Sequence, residues 1–144
     1  MKFAKIVFTA AGIWGIVVLT PLYWLVDITG RRYPVPTEYP HFYYGFLSVA
    51  MAWQIAFLII GSNPARFRPL MIAGILEKIG HVVGVAVLYG QRRIPWADAQ
   101  GGVPDLVLGT LFVVAFAKTP YGRSQLEQDE RQEVVRAVRD DRRP

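Results

Sequence analysis

The chain has 144 residues, of which 53% are hydrophobic, and a formal net charge of +5. It contains no cysteine, which excludes disulfide exchange, thiolate catalysis, iron–sulfur clusters and cysteine-based zinc sites. The apolar residues form long blocks, and such blocks predict membrane-spanning helices rather than a soluble domain.

The positive charge is unevenly distributed. Residues 1–118 hold ten Lys/Arg and five Asp/Glu, whereas residues 119–144 hold six of each. The excess of positive charge therefore lies in the apolar part of the chain and its loops. This favours membrane lipids with anionic headgroups as partners and argues against nucleic acid.

The first apolar block predicts a helix over residues 3–26. Lys2 and Lys5 precede it, as in a signal peptide, but the block is about 20 residues long and lacks a small-residue cleavage site. We therefore predict a retained helix, with a kink near its end at Thr20-Pro21.

Two further helices follow a proline-rich loop. Three prolines make residues 27–40 an extended surface loop, and the second helix covers residues 41–60. The third helix covers residues 69–89, and Pro69 suits its first turn. The link at residues 61–68 is short, which predicts that these two helices are antiparallel neighbours.

The fourth helix is predicted over residues 104–118, after a loop at residues 90–102. Only about 12 uninterrupted apolar residues follow Asp105, which is short for a full span. Asp105 and Lys118 would reach the two interfaces, with some thinning of the bilayer. An interfacial or re-entrant segment is the alternative.

The charged tail, residues 119–144, begins with a capping-box pattern, Ser124 to Glu127. A solvated helix is expected there, and a partner-binding helix is the alternative. The predicted fold is therefore all-α: a polytopic membrane protein with a four-transmembrane-helix bundle (residues 1–118) and a short charged cytoplasmic C-terminal helix.

Basic residues predict the orientation of the bundle. With four spans, both termini lie on one side, and cytoplasmic loops are usually richer in Lys and Arg. The terminal side carries Lys2, Lys5, Arg66, Arg68, Lys118, Arg123 and Arg131, and the other side carries Arg31, Arg32, Arg92 and Arg93. The count favours cytoplasmic N- and C-termini.

The third helix carries Glu77, Lys78 and His81 near its middle. Ionisable groups at that depth are costly and normally face the interior of a bundle. At ~1.5 Å rise per residue, Gln54 and Thr110 lie at a depth similar to that of Glu77. These groups are predicted to form one buried polar layer.

Three interpretations of the layer remain open. In the first, the layer is purely structural; in the second, it is an acid/base or proton-linked site; in the third, it binds a lipid or small lipophile. The second interpretation covers an isomerase-like enzyme acting on a lipophilic substrate and a proton-coupled transporter, which would require a homo-oligomer. Adjacent residues point about 100° apart, so Glu77 and Lys78 are not expected to pair face to face.

Other polar and aromatic residues are candidates for ligand contact. Catalytic candidates are Glu77, Lys78 and His81. Candidates for contact with a lipophile are Gln54, Trp53, Tyr43, Tyr44, Ser48 and Thr110. Candidates for binding a headgroup are Arg31, Arg32, Arg92 and Arg93, for which interface anchoring is the alternative.

No metal or cofactor is expected. The pattern from Glu77 to His81 lacks the second histidine of a zinc-helix motif, and the chain has only two histidines. His41 and His81 lie at different depths, which disfavours a bis-histidine haem. Gly80-x-x-x-Gly84 is a common helix-packing pattern.

Several blocks of the sequence carry a resemblance to a known family. They are His41 to Phe46, Ala52-Trp-Gln54, Arg68 to Met71 with Glu77-Lys78, and Asp105 to Phe112. They resemble a family of small, uncharacterised four-helix bacterial inner-membrane proteins over roughly residues 5–120. The resemblance implies a location in the bacterial inner membrane and implies no activity. A looser similarity of plan to sterol-isomerase-like membrane domains rests on no motif.

Overall fold

The computed structural model describes residues 2–24 and 40–120, with residues 131, 132, 134, 136 and 139 of the tail. Within these ranges the structure consists of helices and turns, which confirms the all-helical prediction for the described residues. The long helices are α1 (Lys2–Leu19), α2 (Pro40–Ser62), α3 (Arg68–Gly90) and α4 (Val103–Lys118).

These helices form four segments of 22 or 23 residues that are long and apolar enough to cross a membrane. The first and last include the short helical turns described below. The predicted helix end at Val26, the loop over residues 27–39 with Arg31 and Arg32, and the capping box at Ser124 lie outside the described residues.

The α-helical part of α1 ends close to the predicted kink. Pro21 has no N–H to donate, and the chain continues from Leu19 as a 3-10 helix, Thr20–Tyr23. The Thr20 hydroxyl donates a hydrogen bond to the carbonyl of Ile16 (2.6 Å). The phenol of Tyr43 on α2 donates to the carbonyl of Leu22 (3.0 Å), which ties the two helices together at this end.

The prediction of a loop over residues 90–102 is wrong for the second half of that segment. Trp96–Ala99 forms an α-helical turn and Gln100–Gly102 a 3-10 turn, and together they lead directly into α4. Gly102 packs closely on α3, because a Cβ there would lie 3.3 Å from Val85 Cγ1. The fourth span therefore runs over 23 residues, Trp96–Lys118, and is longer than the sequence suggested.

We call the end of the bundle that holds residue 2, the α2–α3 link and residue 118 the near end, and the opposite end the far end. At the near end, Arg68 Nε donates to the carbonyl of Thr119 (2.8 Å), and its guanidinium lies 3.9 Å from the centre of the Phe116 ring. These contacts join the start of α3 to the end of α4. The α2–α3 link itself is short, as the sequence predicted.

The core lies in the near half of the bundle and is built on three fully buried phenylalanines. Phe8 stacks on Phe112 with ring centres 4.2 Å apart, and Phe57 meets Phe112 edge-on at 4.9 Å. Ile60 and Met71 are also fully buried beside them. Because these rings come from α1, α2 and α4, they connect three helices at one level.

Helices pair unevenly around this core. Contacts are most extensive between α1 and α2 and between α3 and α4, whereas α2 and α3 touch over a small area. A Cβ on Gly74 would lie 3.0 Å from Phe57 Cε1, so α2 and α3 come close at that level. The two helices are therefore neighbours, as the short link predicts, but they do not stay in contact along their whole length.

Close packing of α1 on α2 depends on Gly12. A Cβ at this position would lie 2.8 Å from the carbonyl oxygen of Gln54 and 2.8 Å from the side chain of Leu58. The carbonyl belongs to the backbone of α2 and cannot move without shifting the helix. We expect Gly12→Ala to lower the free energy of unfolding by about 1–3 kcal/mol.

Gly80→Ala is the matched control, because a Cβ there meets nothing within 4 Å. Alanine is the better helix former, so this variant should be unchanged or stabilised by up to about 1 kcal/mol. Unfolding by SDS in mixed micelles, followed by circular dichroism, measures both. Equal stability of the two variants would contradict the α1–α2 packing described here.

Candidate functional site

The charged residues of α3 and α4 form one cluster centred on Lys78. Its Nζ lies 2.8 Å from Asp105 Oδ1 and 3.1 Å from Glu77 Oε2, and it donates to Glu77 Oε1 at 3.4 Å. The Lys78 side chain is only 7% exposed, compared with 21% for Asp105 and 26% for Glu77. Removing one partner from such a buried group is costly, because the remaining charges lose their compensation.

Gly109 on α4 lets Lys78 reach this position. A Cβ at residue 109 would lie 3.2 Å from the Cβ of Lys78, so α4 passes close to the base of the side chain. Asp105 lies one turn before Gly109 and therefore on the same face of α4. On the other side, Lys78 Nζ lies 5.5 Å from the centre of the Phe57 ring, a cation–π contact.

Two sequence predictions about this cluster are wrong. Glu77 and Lys78 do meet, because the long flexible side chain of Lys78 bends until its ammonium reaches the neighbouring carboxylate. Asp105 does not reach toward the interface but pairs with Lys78. Sequence analysis therefore missed Asp105 as a site residue, although an acidic residue opposite a basic one in two apolar blocks was an available signal.

His81 lies at the margin of the cluster, one turn beyond Glu77. Its Nε2 is 3.9 Å from Asp105 Oδ2, and its side chain is 44% exposed. This distance permits an ion pair when the imidazole is protonated and is too long for a direct hydrogen bond.

One carboxylate oxygen of the cluster lacks a hydrogen bond. Oε2 of Glu77 is buried, and no donor among the described residues forms a hydrogen bond with it. Lys78 Nζ lies 3.1 Å away, but its hydrogen bond goes to the other oxygen, Oε1. The ion pair with Lys78 therefore compensates the charge of this oxygen without a well-aligned hydrogen bond.

Gln54 occupies the facing side of the bundle. It is buried, and its Nε2 donates to the carbonyl of Ala50 (3.0 Å). Gly15 on α1 makes room for it, since a Cβ there would overlap the amide group. None of the hydrogen bonds found among the described residues joins Gln54 to the charged cluster, so the predicted polar layer is not continuous.

A cavity of about 620 Å³ separates Gln54 from the charged cluster, and all four helices line it. It lies on the far side of the phenylalanine core, where α2 and α3 diverge. One wall carries Glu77, Lys78, His81 and Asp105, and the facing wall is largely apolar. That apolar wall includes Trp14, Val18, Leu22, Phe46 and Trp53.

Other candidate residues lie away from this cavity. Thr110 is exposed on the outer face of α4, next to the inward-facing Gly109, and its hydroxyl donates to the carbonyl of Leu106 (2.8 Å). Ser48 is also exposed. Thr110 therefore lies outside the cavity, and it lines a separate groove of about 350 Å³ between α3 and α4 with Lys78 and Asp105.

Two tyrosine and two arginine candidates lie at the far end: Tyr43, Tyr44, Arg92 and Arg93. Tyr43 and Tyr44 contact each other edge-on with ring centres 5.7 Å apart. Arg92 and Arg93 are exposed on the turn after α3 and line a shallow surface depression with Tyr89 and Pro95. The glycines of the Gly80-x-x-x-Gly84 pattern face open space and make no helix contact with the described residues.

No family model, curated protein or solved structure matches the chain. The resemblance noted from the sequence therefore stays a prediction, and the site must be interpreted from its own chemistry.

The cavity combines an acidic, hydrogen-bonding wall with an apolar, aromatic wall. Pockets of about 300–1,000 Å³ with this division commonly hold small molecules, whose orientation is fixed by a few polar groups. Among the described residues, no group of three His, Asp or Glu side chains has the arrangement needed to hold a metal ion.

Proposed function

We propose that the chain is a multi-pass protein of the bacterial inner membrane with both termini in the cytoplasm. Four apolar helices of sufficient length support a membrane location. Large apolar side chains also cover the outer surface of the bundle, including Ile6, Val17, Ile59, Leu76 and Leu106. Such a surface is compatible with lipid and would be unusual in water. The distribution of basic residues supports the orientation, and the bacterial assignment rests on the resemblance alone.

We further propose that the protein binds a lipid or other small lipophile in the cavity between the four helices. The observation that carries this proposal is the position of a charged cluster opposite an apolar wall, across about 620 Å³. A purely structural cluster would not need an open space beside it. The apolar wall would hold the body of the ligand, and the carboxylates would orient its polar end.

Transport through a single chain is less well supported. The three buried rings of Phe8, Phe57 and Phe112 fill the bundle between the cavity and the near end. A continuous water path would have to displace this packing or pass between several chains. An acid/base enzyme remains the second candidate, because the Glu77 carboxylate is 26% exposed and lines the cavity.

Two alanines on α2 allow a test of the cavity proposal. Ala50 lines the cavity, whereas Ala52 is exposed on the outside of the same helix. Ala50→Trp should place an indole ring in the cavity and obstruct ligand retention, and Ala52→Trp should leave retention unchanged.

Native mass spectrometry of protein released gently from its own membrane measures this retention. We expect a small molecule bound to the wild type and to Ala52→Trp, and absent from Ala50→Trp. Equal ligand content in the two variants would place any bound molecule outside the cavity. A wild-type protein without any ligand would favour the structural interpretation.

A further inference from the structure

The charges around the cavity do not balance. Its wall carries two carboxylates, Glu77 and Asp105, and one ammonium, Lys78. With the imidazole of His81 neutral, the net charge is −1. Among the described residues, α1 and α2 add no charged side chain to the wall, where they contribute Gln54 and apolar or aromatic groups.

The positive charge of Lys78 is already compensated. Its ammonium lies within 3.1 Å of both carboxylates, and its side chain is almost fully buried. An anionic ligand would have to compete with both Glu77 and Asp105 for this ammonium. It would also add a second negative charge to a poorly solvated site, where such repulsion is strong. The cavity therefore disfavours carboxylates, sulfates and phosphates.

Glu77, by contrast, is the more weakly held of the two carboxylates. Its oxygens lie 3.1 and 3.4 Å from Lys78 Nζ, compared with 2.8 Å for Asp105 Oδ1, and its side chain is 26% exposed and lines the cavity. A ligand ammonium that donates to this carboxylate would remove the excess negative charge. Charge-assisted hydrogen bonds of this kind are about twice as strong as neutral ones.

The facing wall suits the rest of such a ligand. Trp14 and Trp53 lie on α1 and α2 across from the carboxylates, with Phe46 nearer the far end. Aromatic rings bind apolar groups and also attract cations through their π faces. The volume of about 620 Å³ is large enough for a drug-sized molecule.

We infer that the cavity binds a lipophilic amine as its monovalent cation, with the ammonium N–H donating to Glu77 and the apolar body lying against Trp14 and Trp53. This inference rests on the proposed lipophile-binding function and specifies the chemical class of the ligand. Charge complementarity, rather than size, distinguishes an amine from other lipophiles here.

Three probes with the same apolar body test this inference: 4-phenylbutylamine, 4-phenylbutan-1-ol and 4-phenylbutanoate. Binding is measured by isothermal titration calorimetry in phosphatidylcholine nanodiscs at pH 8. The same titration of Ala50→Trp gives the membrane background to be subtracted. We expect the amine to bind at least about tenfold more tightly than the alcohol, equivalent to about 1.4 kcal/mol, and the carboxylate to bind most weakly.

Glu77→Gln provides the matched variant. It should reduce the preference for amine over alcohol to less than about threefold, because it removes the negative charge that favours an ammonium over a neutral hydroxyl. The wild-type series tests the inference by itself if this variant does not fold.

The possible outcomes distinguish a failure of the amine inference from a failure of the proposed lipophile binding. If the alcohol or the carboxylate binds in the cavity as tightly as the amine, the choice of an amine is wrong and lipophile binding still stands. If none of the probes shows binding that Ala50→Trp removes, both proposals are overturned.

Discussion

We expect Lys78→Met to lower the free energy of unfolding by about 3 kcal/mol. The substitution keeps most of the apolar stem but leaves Glu77 and Asp105 facing each other without a cation. Breaking a buried charged group in this way typically costs about 3–5 kcal/mol. The low end applies here, because the two carboxylates remain partly exposed.

The triple variant Glu77→Gln, Lys78→Met, Asp105→Asn shows whether the cost comes from uncompensated charge. Replacing a whole buried charged group by neutral residues is often tolerated, so this protein should regain stability to within about 1 kcal/mol of the wild type. SDS unfolding in mixed micelles measures each variant. Lys118→Met is the control, because Lys118 is exposed at the near end, outside the charged cluster, with its ammonium 5.2 Å from the centre of the Phe3 ring.

The same variants separate the two main interpretations of the charged cluster. A triple variant that folds but no longer retains a ligand would assign the charges to binding. A triple variant that folds and behaves like the wild type in every binding measurement would assign them to structure. Stability of Lys78→Met equal to that of the wild type would contradict the contacts on which both interpretations depend.

The helices themselves could be predicted because their signals are local. Long apolar blocks set the number of spans, and prolines lie where the chain enters or leaves helices, as at Pro40, Pro64 and Pro69. The fourth span was underestimated for the same reason. Its first part, Trp96–Gly102, contains small, polar and acidic residues that resemble a loop, although the structure continues the helical path through them.

The charged cluster was only half predictable. Glu77, Lys78 and His81 stand out in an apolar block, and their cost in a membrane marks them without any structure. Asp105 was missed because depth was counted along the helix axes. That count placed Thr110 at the depth of Glu77. The long side chain of Lys78 instead extends to Asp105, which lies more than one turn before Thr110 on the same helix.

The cavity could not be predicted, because it depends on how far α2 and α3 diverge. A short link fixes one end of a helix pair and says little about the other end. The divergence follows from packing elsewhere: Gly12 and Gly15 bring α1 close to α2, while Gly109 brings α4 close to α3. Glycines at these positions were visible in the sequence, but the partners that each would meet were not.

We expect Phe57→Ala to be the other strongly destabilising substitution, with a loss of about 3–5 kcal/mol. Truncating a fully buried phenylalanine removes its contacts and leaves a void that neighbouring groups fill only in part. The rings of Phe8 and Phe112 are held by α1 and α4 and cannot both move into the space. Lys78 would also lose the ring beneath its ammonium.

Phe42→Ala is the matched control, because the Phe42 ring is 70% exposed at the far end of the same helix. It should change the free energy of unfolding by less than about 1 kcal/mol. Because Phe57 connects the packed near half to the cavity above it, its loss should also weaken amine binding, whereas Phe42→Ala should not. If Phe57→Ala has the same free energy of unfolding as the wild type, the three-ring core does not stabilise the bundle. Other contacts would then have to maintain the cavity.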